Sequence, residues 1–172
     1  MPTTIPTALT ALLAGCLAVA AGAQTATATA TLAPTAGNTA AGTVTFTQKG
    51  DKVLVDAKVS GLAPGGHGFH IHEKGDCSAP DGASAGGHFN PTGKPHGDPA
   101  APDHHAGDIP MLQADASGNA TLTAELNVIT VGSGPNDVVG KSVIVHKDPD
   151  DFKTQPTGNS GARVACGVIA KS

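Results

Sequence analysis

From Thr25 to Leu32 the chain alternates threonine with alanine or leucine at a strict period of two, and the same period returns at residues 42–47 and 53–59. Successive side chains of a β-strand point to opposite faces, so this pattern gives each segment one wet and one dry face. A helix would gather its apolar residues in a stripe of period 3.6, and strict alternation does not follow that stripe. Turn chemistry separates them. Residues 34–38 carry Pro34, Gly37 and Asn38, and Lys49-Gly50-Asp51 is a hairpin turn. Further short candidates lie at residues 68–72, 120–126, 142–146 and 165–169. With 23 glycines, 13 prolines, four phenylalanines and no tryptophan or tyrosine, the chain is punctuated throughout. These features predict an all-β fold, an antiparallel β-sandwich or flattened barrel, in one domain.

Two stretches break the rhythm, residues 73–108 and 147–161. Loops of that length are uncommon in compact domains unless they carry function. The first is crowded with His, Asp, Gly and Pro, the composition of a loop organised by metal. The second is polar and charged and ends near Arg163, so it is expected to wall a site.

The beginning of the chain reads as an address. No charged residue precedes Lys49, and residues 9–21 are apolar enough for the core of a secretory signal but too short for a membrane span. Ala21-Gly22-Ala23 suits cleavage before Gln24, making residues 1–23 a leader and residues 24–172 the domain. Leu13-Ala14-Gly15-Cys16 also fits a lipoprotein signal, in which Cys16 becomes the lipidated first residue. Both routes place the domain outside the cytoplasm, in the periplasm or cell envelope, with a lipid anchor at Cys16 as the only membrane attachment. Cys77 and Cys166 then remain as a pair, and two cysteines in an exported chain read as a disulfide. The formal net charge of −4 argues against a nucleic-acid partner, whereas local field leaves a small anionic substrate open.

The eight histidines carry the chemistry. His70 and His72 sit two apart in a short apolar segment, so on a strand both imidazoles share a face. His88, His96, His105 and Asp108 follow along the first loop, three imidazoles and a carboxylate suited to tetrahedral zinc. His146, at the end of the strand-like Val143-Ile144-Val145, adds an imidazole from elsewhere, and several imidazoles together suit divalent copper. His104 adjoins His105 and competes with it for the zinc position; His105 is preferred because it stands three residues before Asp108. His67 is assigned a structural hydrogen-bonding role. Arg163, the only arginine, offers a permanent multi-donor charge to a small oxyanion.

The segments His67-Gly68-Phe69-His70-Ile71-His72, Gly87-His88-Phe89-Asn90-Pro91, Lys94-Pro95-His96-Gly97, His105-Ala106-Gly107-Asp108, Val143-Ile144-Val145-His146 and Ala162-Arg163-Val164-Ala165-Cys166-Gly167-Val168-Ile169 resemble, in order, the Cu,Zn superoxide dismutase family of the bacterial exported type. The resemblance spans roughly residues 25–172. It implies a Greek-key β-sandwich with two functional loops and one copper and one zinc ion per subunit. Copper would be held by His70, His72, His88 and His146, and zinc by His88, His96, His105 and Asp108, so that His88 bridges the two. Asp150 would join a copper histidine to a zinc histidine from outside the ligand sets. Arg163 would guide superoxide, which is converted to oxygen and hydrogen peroxide, and the Cys77–Cys166 disulfide would tie the metal loop to the last strand. The number of subunits, one or two, stays open.

Two other classes compete. An exported metal carrier on the same fold would be marked by a missing copper ligand or a missing Arg163, and all are present. A purely structural zinc site would leave His70, His72 and His146 without a task.

Overall fold

The computed structural model describes residue 1 and residues 25–172. The leader, and with it Cys16, lies outside the described residues. Among the described residues nine strands form: β1 (Thr27–Pro34), β2 (Ala41–Lys49), β3 (Lys52–Ser60), β4 (Gly65–His67), β5 (Phe69–His72), β6 (Leu112–Ala114), β7 (Ala120–Leu126), β8 (Ser142–His146) and β9 (Arg163–Lys171). Seven of them make one antiparallel sheet in the order β5-β8-β9-β1-β2-β3-β7, and β4 pairs with β6 in a small second ladder. Strands β1 to β3 are joined by hairpins, and β9 returns by a long connection to lie beside β1, the Greek-key order. One short 3₁₀ turn occurs at Ala83–Ala85. Among the described residues no helix is long and apolar enough to cross a membrane.

The period of two sets the register. Thr29 pairs with Thr45 and Thr31 with Thr43 on the outer face, while Ala30 pairs with Val44 and Ala28 with Phe46 on the buried one. A slip by one residue would turn both sets over, so the dry face specifies the pairing. Phe46, Phe69, Ile71, Ile109, Leu112 and Ile169 fill the interior with essentially no exposure. Burying each stabilises the fold by about 1.5–3 kcal/mol.

The segment at residues 68–72 departs from a single strand. The ladder breaks at Gly68, which donates its N–H to the Asp148 carbonyl and accepts from the His146 N–H. Strands β4 and β6, three residues each, are too short to show any alternation.

The two long loops attach to the free edge and the end of β5. Ile71 donates to the Gly107 carbonyl, Gly107 to that of Phe89, and Phe89 back to that of Ile71, each at 2.8 Å. These bonds bridge His72 to His88 and His70 to Asp108. Only glycine permits the approach at 107, because a Cβ there would collide with the Ile71 carbonyl. The sheet edge thus becomes the scaffold of the histidine cluster.

Candidate metal centre

Strand β5 delivers His70 and His72, the loop bonded to its edge delivers His88, and the end of β8 delivers His146. A register shift between Val145 and His146 sets His146 opposite Arg163, with Val164 of β9 as the extra residue. Three of the rings are held by one nitrogen each from outside the cluster. His72 Nδ1–H donates to the Gly86 carbonyl at 2.9 Å, His146 Nδ1–H to that of Gly161 at 3.2 Å, and His70 Nε2–H to Asp150 Oδ2 at 2.6 Å. The opposite nitrogens, His70 Nδ1, His72 Nε2 and His146 Nε2, are buried with no hydrogen-bond partner, as is His88 Nε2. The ligand atoms of these four residues lie within 4.8 Å of one another. Leaving one buried polar atom unsatisfied costs about 1–3 kcal/mol. Four such atoms converging on one point are accounted for by a cation, and an all-imidazole set fits copper. Burial keeps the rings neutral and ready to ligate: it pushes His70 down to about 4, His72 to about 2 and His146 to about 3.

The second set meets on the other side of His88. Asp108 Oδ1 lies 3.0 Å from His88 Nδ1, 3.0 Å from His96 Nδ1 and 3.6 Å from His105 Nδ1, and the His88 and His105 Nδ1 atoms are 3.2 Å apart. Donors about 2.0–2.1 Å from a tetrahedral zinc ion stand about 3.3–3.4 Å from each other. The separations bracket that value, and three imidazoles with one carboxylate fit zinc. Asp108 Oδ2 is fixed by the N–H groups of Gly97 and His105. Burial would raise the Asp108 carboxyl, but its bonds to His88 and His96 hold it far below the usual range. His96 is likewise opposed by burial, yet Asp108 at Nδ1 and Asp150 at Nε2 lift it to about 9. Burial lowers His105. Its neighbour His104 turns away, its Nδ1 2.7 Å from the His105 carbonyl. Both ring nitrogens of His67 lie 2.8 Å from backbone carbonyls, those of His146 and Ala63.

Asp150 reaches both sets from outside. Its Oδ2 takes the His70 Nε2–H, and its Oδ1 takes the His96 Nε2–H at 3.0 Å and the Phe152 N–H at 2.7 Å. This fixes one tautomer in each set, with Nδ1 of both rings facing inward. Phe152 adopts a left-handed backbone (φ 56) to aim that N–H. Such a conformation costs about 1–3 kcal/mol for a bulky residue and persists where its surroundings require it.

Arg163 opens β9 directly opposite His146 in the ladder. Its Nη1 donates to the Gly82 carbonyl at 2.6 Å and its Nη2 to that of Gly86 at 2.7 Å, the same oxygen that holds His72. Those carbonyls belong to the loop that the Cys77–Cys166 disulfide ties to β9. Sequence reasoning missed Gly82 and Gly86, since backbone carbonyls leave no side-chain signature. The guanidinium lines an open cleft of about 370 Å³ together with Thr35, Asp81 and Gly161.

The chain is similar to known proteins over most of its length. A solved structure described as the clock protein EA4 superposes with a TM-score of 0.77 at 39% identity, covering 84% of this chain and 93% of that one. The family model described as copper/zinc superoxide dismutase (SODC) matches residues 40–169. Two interlocking ligand sets on this fold, with a match across most of the chain, lead to one conclusion: the chain belongs to the copper/zinc superoxide dismutase family and is an oxidoreductase.

Proposed function

We propose that this chain removes superoxide outside the cytoplasm, in the periplasm or cell envelope, using one copper and one zinc ion per subunit. His70, His72, His88 and His146 hold copper, and His88, His96, His105 and Asp108 hold zinc, with His88 shared. When bound, copper would supply the one-electron redox chemistry by which two superoxide ions and two protons give oxygen and hydrogen peroxide. The observation that carries this reading is the division of labour on the His88 ring. Its Nε2 is one of the four open nitrogens, while its Nδ1 stands among the second donor set. An imidazole so placed can take up a proton at Nε2 and release it, while Nδ1 keeps the ring in position.

Asp150 and Arg163 support that chemistry from either side. Asp150 locks the tautomers of His70 and His96. Arg163, with two donors tied back to carbonyls, presents a fixed positive charge beside the His72 edge of the cluster. A fixed cation at a cleft mouth attracts a small anion and orients it without reorganisation. The test is metal content and superoxide decay measured on the same purified protein. One copper, one zinc and rapid decay are expected; decay that persists after copper is removed would refute the reading. Fractionation of the producing cell, with mass analysis of the mature first residue, decides between cleavage before Gln24 and lipidation at Cys16.

A further inference from the structure

The tripeptide that carries His96 has no secondary structure to hold it. Residues 93–98 belong to no strand or turn, yet His96 and the donor set around it are buried. Its backbone groups must therefore find side-chain partners, and they do. Asn90 closes a two-bond ring with Lys94: the Lys94 N–H donates to Asn90 Oδ1 at 3.1 Å, and Asn90 Nδ2 donates to the Lys94 carbonyl at 2.8 Å. Gln155, from the other long loop, closes a second ring on His96 itself. The His96 N–H donates to Gln155 Oε1 at 2.9 Å, and Gln155 Nε2 donates to the His96 carbonyl at 2.8 Å. The next N–H, from Gly97, goes to Asp108.

We propose that Gln155 is a positioning residue for the zinc set: its primary amide stands in for a β-ladder partner and locks the His96 backbone to the loop of residues 147–161. Only a primary amide offers an acceptor and a donor side by side at the spacing of a peptide group. The two loops are then coupled at His96 twice, through Gln155 at its backbone and through Asp150 at its ring. Ordering one loop orders the other, so zinc capture and the shape of the cleft wall near Arg163 are linked. This inference rests on the assignment of His96 to zinc made above.

Gln155 lies at the surface, so replacing it leaves the core intact. The experiment loads the full domain with zinc and follows its release to an excess of a chromophoric chelator at neutral pH. Alongside it, hydrogen exchange at the His96 amide is measured. Gln155→Leu, which lacks both polar atoms, is expected to speed zinc release by about tenfold and to raise His96 amide exchange. Gln155→Glu keeps the acceptor and loses the donor, so its release rate falls between Leu and wild type. The unfolding temperature of the metal-free, disulfide-intact variants stays at the wild-type value, which separates positioning from general stability. Wild-type release by Gln155→Leu, or unchanged His96 exchange, overturns the inference while leaving the zinc assignment standing. A wild-type protein that takes up no zinc overturns both.

Discussion

Zinc uptake by the metal-free protein should expel a proton, and the proton belongs to His96. In the fold without metal its imidazole lies between two carboxylates, Asp108 at Nδ1 and Asp150 at Nε2, which raise it to about 9 against the opposing pull of burial. At pH 7.5 a group titrating near 9 is about 97% protonated, since it lies one and a half units below its midpoint. Zinc needs Nδ1 free, so it must displace about one proton from this ring. That competition weakens the apparent affinity by about 30-fold relative to pH above 9, roughly 2 kcal/mol at 1.36 kcal/mol per pH unit. Between pH 7.5 and 8.5 the logarithm of the apparent association constant should rise by nearly one per pH unit. Calorimetric titration in buffers of different ionisation enthalpy counts the protons directly. Burial already keeps His70, His72 and His146 neutral, so these three should add no protons to the count when copper follows. Asp150→Asn removes one of the two anions beside His96 and should lower the count for zinc at the same pH. Zinc binding at pH 7.5 with no proton release would refute the reasoning.

The same groups shape the stability of the metal-free fold. His70, His72 and His146 have folded values below their unfolded one, so their contribution falls as pH drops below 6.5. His96, raised, contributes fully below 6.5 and loses that contribution as pH rises toward 9. With His105 also lowered by burial, thermal unfolding of chelator-stripped protein should peak at about pH 7, with an acid limb several times as steep as the alkaline one; a flat profile would contradict it. Gly158→Ala should lose metal from both sets, because Gly158 has φ +68 and a Cβ there would collide with the Asp150 carboxylate and with His96. Metal analysis showing full zinc and copper in that variant would count against the role given to Asp150. Arg163→Glu should cut superoxide turnover at least tenfold at low ionic strength, with copper content near normal, and added salt should raise rather than lower its rate. Unchanged turnover would remove Arg163 from the mechanism.

Much of this protein is written locally. The alternation at Thr25–Leu32 and in the two segments after it decides strand identity, register and the dry face, because side-chain direction in a strand depends only on parity. The His70-Ile71-His72 pair declares a shared face for the same reason, and a strongly polar, histidine-rich stretch declares a loop. Strands β4 and β6 were invisible, since three residues cannot show a period. So was the break at Gly68, which follows from contacts made by residues 146–148. What only the tertiary structure decided is which nitrogen of each ring faces which neighbour. His70 presents Nδ1 to the cluster and His72 presents Nε2, although both lie on one strand, because Asp150 holds one and the Gly86 carbonyl holds the other. Gln155, likewise, holds His96 from a loop nearly sixty residues away. A ring's tautomer and aim are set by the group behind it, and those groups arrive from distant parts of the chain only when the sheet brings both loops to the same edge.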